Sequence, residues 1–260
     1  MTEHSDLTLS RPRPQAVGAP RPRPTQLWQL ELRGTLARRR ALLIKLLFPL
    51  VLVIPLVTTG APPFFAGMLL TVLIAMVGTV GTGVSITRAR GSGWLDRLAV
   101  LPLPAWRVGL ELFFAGWLMD ALQATLVLVV IAIAARPDPA TLATTWLLAL
   151  SALAFSGAIG LGIAALTDHP GEAMLYLAVV LAPLLFLSGL FTGVPAEGIR
   201  YWVAQVLPFS YLDEGFQLLL GGNPPYGDPW GFLIAALVFM GLSLVATAAL
   251  GRAVLGRTAS

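Results

Sequence analysis

The stretch Thr87–Leu112, TRARGSGWLDRLAVLPLPAWRVGLEL, is a charged, amphipathic segment set between long apolar runs, and it decides how the rest of the chain is read. From Trp94 the apolar residues Trp94, Leu95, Leu98 and Leu101 recur at i, i+1, i+4 and i+7, with Asp96 and Arg97 on the opposite side. That is the spacing of a short amphipathic helix whose polar flank faces water or a partner. The segment is too short to cross a bilayer and too apolar for a free loop, so it is expected to lie along a membrane surface. Gly91-Ser92-Gly93 precedes it as a flexible joint, and Pro102 and Pro104 close it.

Outward from this segment the chain reads as membrane. Of its 260 residues 57% are apolar and only 12% charged, too little polar surface for a soluble domain of this size. A net charge of +4 raises the possibility of a nucleic-acid partner, but the arginines cluster where membrane topology would put them. With no cysteine there is no disulfide, thiolate metal site or cysteine nucleophile. Lys45 is the one lysine and lacks the Gly-x-x-x-x-Gly before it that would cradle phosphates, so an ATP-driven role calls for a separate subunit.

Residues 1–25 carry Arg-Pro-Arg-Pro twice and read as a disordered cytoplasmic tail; residues 26–40, with Leu27, Trp28, Leu32 and Leu36 against several arginines, read as an interfacial helix. Residues 41–255 form the membrane domain. Six apolar segments are expected to span, at 41–59, 64–86, 106–134, 141–166, 172–191 and 230–250, each near the ~20 residues that cross a bilayer. The loops after the first, third and fifth hold only Arg136 and Arg200 of the 17 basic residues, which puts both termini and residues 91–103 in the cytoplasm.

Residues 195–220 make two short pieces. Ile199, Trp202, Val203 and Val206 form one apolar stripe, Pro208 breaks it, and Tyr211, Leu212, Gly215, Phe216 and Leu219 form another, with Asp213, Glu214 and Gln217 expected to turn away from it. Neither piece is long enough to span, and a re-entrant helical hairpin dipping from outside fits them.

The run Gly93, Leu95, Asp96, Arg97, Leu98 and Pro102 resembles the Gly-Thr-Leu-Glu-Arg-Leu-x-x-x-Pro pattern of ATP-binding-cassette (ABC) type-2 permeases, the membrane subunits of daunorubicin-resistance-like drug and lipid exporters. Leu187-Ser188-Gly189-Leu190-Phe191, then Leu207-Pro208-Phe209-Ser210-Tyr211-Leu212-Asp213, is similar to that family's LSG…P…LPLTY stretch before the last helix. The likeness covers nearly everything after residue 30. It departs where the family often carries glutamates and this chain has Arg88, Ala89 and Arg90, and where a basic residue is replaced by Glu111. The resemblance implies that residues 91–103 form a cytoplasmic coupling helix, with Gly93, Trp94, Leu95, Asp96, Arg97, Leu98 and Pro102 docking on a P-loop ATPase. It also implies a second identical or related permease, no cofactor on this chain, and ATP and Mg on the partner.

Asp120, with Gln123 one turn on, falls near mid-depth in the third apolar segment, where an ionised carboxylate costs on the order of 3 kcal/mol. It should face the protein interior, either as a contact on a substrate path or interface or as a tie between helices. Tyr211, Asp213 and Glu214 are further candidates for that path. Glu111 is expected to pair with an arginine such as Arg107. Gly78, Gly81 and Gly83 and the Ser156-Gly157, Gly160, Gly162 series read as close-packing positions. His4 and His169 offer no base for a membrane-embedded serine protease and no metal-ligand spacing.

The chain therefore reads as an all-α membrane protein of the bacterial plasma membrane, with six spans, an interfacial helix, a coupling helix and a re-entrant hairpin. Its expected role is the permease of an ATP-driven exporter of amphipathic drugs, lipids or glycolipids. The alternatives are an ion- or proton-coupled secondary transporter that titrates Asp120, or a membrane subunit that only assembles others.

Overall fold

A computed structural model describes residues 27–37, 39–100, 103–195, 197–225 and 228–256. The tail at 1–25, together with Leu101 and Pro102, lies outside the described residues. Among the described residues the chain is helical without strands: α1 (Leu27–Ala37), α2 (Arg39–Thr58), α3 (Pro63–Gly91), α4 (Trp94–Ala99), α5 (Ala105–Ala135), α6 (Pro139–Ala164), α7 (Pro170–Leu187), α8 (Ile199–Gln205), α9 (Pro208–Leu219) and α10 (Pro229–Gly256). Where a backbone has no water to bond, the helix satisfies its amides internally, and the apolar runs fold accordingly.

Five of these helices, α3, α5, α6, α7 and α10, are long and apolar enough to cross a membrane. The chain is thus a multi-pass membrane protein. The first expected span, α2, falls short of that length: Arg39 and Arg40 open it, and its apolar part is Leu42–Thr58. Several ends also shift. α3 runs on to Gly91 rather than 86, and α7 covers 170–187 rather than 172–191 because Ser188 and Gly189 turn the chain.

The centre of the bundle is α6, which packs on α3 and α10, while α9 is clasped between α3 and α6. Close approach at the centre requires glycine: a methyl group on Gly160 would collide with the carbonyl oxygen of Thr79 on α3. Two of the hydroxyls along these helices bond back to their own helix's carbonyls, Thr79 Oγ1 to Ala75 at 2.7 Å and Thr87 Oγ1 to Gly83 at 3.0 Å, and so enter the apolar interior satisfied. Three apolar clusters result among the described residues. The largest fills the bundle around α3, α5, α6, α9 and α10, a small core gathers at the end where α3, α5, α6 and α10 meet α4, and Ile163 of α6 packs with Ala173 and Leu177 of α7.

Candidate functional site

The small core explains how α4 is held. Helix α3 leaves the bundle with Arg88 and Arg90 in its last turn, Ser92 caps it, and the chain reverses at Gly93 with φ of 68°. Leu95 is fully buried and Leu98 nearly so, packed with Ile86 of α3, Val108 and Leu112 of α5, Leu161 of α6 and Val254 of α10. Trp94 is half-buried, and Asp96 and Arg97 are exposed. The amphipathic face read from the sequence is therefore present, on a helix of six residues rather than across 91–103. It ends at Ala99, with Val100 as its C-cap.

At 1.5 Å per residue, α3 and α5 are each ~45 Å long against ~30 Å of hydrocarbon. They carry α4 at the tip of a packed foot. The foot is braced sideways: Arg90 Nη1 donates to the carbonyl oxygens of Ala164, at 2.7 Å, and Thr167, and lies 3.9 Å from the Asp168 carboxylate. This joins the end of α3 to the α6–α7 turn.

Asp120 is 1% exposed, as expected of an interior carboxyl. Its partner escaped the sequence reading. Lys45 Nζ of α2 donates to Asp120 Oδ1 at 2.6 Å, Gln123 Nε2 donates to the Lys45 carbonyl oxygen, and Gly81 of α3 leaves room on the other side of the carboxylate. Asp120 thus bonds α5 to α2 and packs against α3. The available signal was that a lone lysine six residues into an apolar helix needs a counter-charge. Arg107 Nε donates to Glu111 Oε1 at 2.7 Å, the i,i+4 pair that the spacing predicts.

At the other end of the bundle, α8 and α9 meet at Leu207 and Pro208. The α9 end of this corner reaches down the bundle. Phe209 packs edge-on against Phe155, whose ring centroid is 5.9 Å away, and Tyr211 lies 6.0 Å from Phe239. Tyr211 Oη donates to Gln205 Oε1 at 2.5 Å, closing the corner. The exit of α9 is level with the start of α3, where Gly222 packs on Pro63.

Here the structure corrects the sequence reading. Asp213 and Glu214 do not turn away from the apolar stripe into water; each is 6% exposed, because α9 is enclosed by α3 and α6 on both faces. Asp213 Oδ2 accepts from Gln217 at 2.9 Å, and its other oxygen fits against Gly67 of α3, where a Cβ would sit only 2.8 Å away. Burial pushes both carboxyls up to about 7, Glu214 also through the neighbouring charge of Asp213. The apolar stripe of α8 does the opposite, with Ile199, Trp202 and Val206 facing outward.

A family model for the ABC-2 type transporter matches residues 25–220. The chain belongs to that family. It is also 31% identical over 143 residues to the probable multidrug ABC transporter permease YbhR of Escherichia coli, in both strain K12 and strain O157:H7. Each alignment covers 52% of this chain and 37% of the relative, so the chain matches well under half the length of these curated relatives. The family is one of transport membrane subunits rather than enzymes.

Proposed function

We propose that this chain is the permease of an ABC exporter that moves amphipathic drugs, lipids or glycolipids outward across a bacterial plasma membrane. The observation that carries the reading is the foot, where α4 buries Leu95 and Leu98 and leaves Asp96 and Arg97 free for charge-complementary docking on another chain. In this reading α2 is a sixth span, both termini are cytoplasmic, and α8 with α9 is a re-entrant hairpin closing the outer end. Residues 26–40 would lie at the interface and 91–103 would serve as the coupling segment. ATP and Mg belong to a separate P-loop ATPase, and a second identical or related permease completes the pathway.

Force applied to α4 has a packed route. Leu95 and Leu98 press on α3, α5 and α10 together, Arg90 couples α3 to the α6–α7 turn, and the Lys45–Asp120 pair couples α5 to α2. A closing ATPase would therefore tilt the bundle as a unit and open a path beside the hairpin. Pairing with Lys45 favours the helix-tie role for Asp120 over a titrating role in an ion-driven transporter.

The test is co-purification of an ATP-hydrolysing subunit with the chain from its native membrane. Retention that falls at least about tenfold in an Asp96→Ala, Arg97→Ala double variant supports docking through α4. Undiminished retention, or export that persists without ATP and collapses with the proton gradient, rejects it.

A further inference from the structure

The uncovered face of α2 carries charge at one end. Leu43, Ile44, Leu47, Phe48 and Val51 are exposed along it. Arg39 and Arg40 are exposed too, and each stands four residues before a member of that stripe, Arg39 before Leu43 and Arg40 before Ile44. One helix face therefore runs from two guanidinium groups into apolar side chains. Neither arginine forms an ion pair among the described residues. In the sequence, residues 26–40 hold Arg33, Arg38, Arg39 and Arg40 against one acid, Glu31.

The level of Arg39 and Arg40 bears on what meets them. The ring of Trp28 on α1, which leads into α2, lies 5.7 Å from that of Phe114, so α2 starts toward the α4 end of α5. Lys45 bonds Asp120, and Arg40 comes five residues before Lys45, which sets Arg40 level with about Ala115 of α5. A second count agrees: α5 ends at Ala135, and ~20 residues of hydrocarbon measured back from there stop at about Ala115. Arg39 and Arg40 thus stand at the membrane boundary, with the apolar stripe at acyl-chain depth. The far boundary has no such excess of positive charge, since Arg136 is set against Asp138 and Asp228.

Lipid suits this face better than a second copy of the chain. Two copies meeting α2 on α2 would set Arg39 and Arg40 against their own counterparts at the same level, like charge on like. A phospholipid instead lays its acyl chains on Ile44, Leu47 and Phe48 and brings its phosphate to the guanidinium groups.

We infer that this face of α2 binds anionic phospholipid of the α4-side leaflet, held at the headgroup by Arg39 and Arg40 and selected by charge. The inference rests on α2 crossing the membrane, as in the reading above, and not on ATP coupling.

The experiment is native mass spectrometry of the full chain in mild detergent, supplied with equal phosphatidylglycerol and phosphatidylethanolamine. Expected is preferential retention of phosphatidylglycerol, reduced about fivefold by each of Arg39→Gln and Arg40→Gln and kept in the charge-conserving Arg39→Lys, Arg40→Lys variant. Equal retention of the two lipids, or a preference unchanged in the double Gln variant, overturns the inference. So does loss of a bound ATPase from that variant without loss of lipid, which gives the face to a protein partner. Because the chain lacks cysteine, Thr59→Cys reports the span separately, and a membrane-impermeant maleimide should label it from outside in intact cells. Labelling only from the α4 side overturns the span and the inference with it; labelling from outside with no lipid preference overturns the inference alone.

Discussion

At the α4 end Leu95 and Leu98 are enclosed while Asp96 and Arg97 stand in the open; at the α9 end Asp213 and Glu214 are enclosed while Ile199, Trp202 and Val206 of α8 face outward. Both are short helices joined to long ones, and both carry an adjacent pair of charged residues. What differs is the surroundings. Helix α4 caps one end of the bundle with its outer face uncovered, so it sorts apolar from polar in the usual way. Helix α9 is inserted between α3 and α6, where both faces must be filled, and its carboxyls go inside, Asp213 with Gln217 as a bonding partner.

Several substitutions break or sharpen this contrast. The largest effect is expected at the foot: Leu95→Ala leaves a void in a closed core and should cost ~2–5 kcal/mol of stability, read by thermal unfolding in detergent. Next, Asp120→Asn removes the counter-charge of Lys45. Lys45 keeps 34% of its side chain exposed, so the loss should be about 2 kcal/mol, below the ~3–5 of a fully enclosed pair, and an added Lys45→Met should recover part of it.

A smaller effect, at the α9 end, concerns pH. Asp213 and Glu214 are raised in the fold from 3.8 and 4.5 to about 7, so the folded chain holds protons that the unfolded chain releases. Their contribution is fully present below about pH 4 and is lost as pH rises toward 7. Asp213→Asn should flatten that slope in a melting-temperature series. Smallest of all, the Asp96→Ala, Arg97→Ala double variant should move stability by less than ~0.5 kcal/mol even as it abolishes docking. A large loss of stability there would show that the exposed face of α4 is structural.

The contrast also explains what could be read from the sequence. The all-helical membrane class, the amphipathic face of α4, the Arg107–Glu111 pair and the interior position of Asp120 all follow from local spacing or from the cost of burying charge. The burial of Asp213 and Glu214 did not, because periodicity assigns polar residues to water and takes no account of a helix walled in on two sides. Nor did the Lys45–Asp120 pair, whose members are 75 residues apart and meet only once α2 lies on α5. The length of α4 was overestimated because apolar spacing continues past Ala99 although the helix does not.

The single lysine of the chain is folded into the α2–α5 junction with its amine held by Asp120. Apart from the chain terminus, amine-directed reagents therefore have one address, a partly exposed amine at the junction of two helices. If the proposed opening parts the two helices, acylation at that position would register it, so the protein would carry its own reporter without an engineered label.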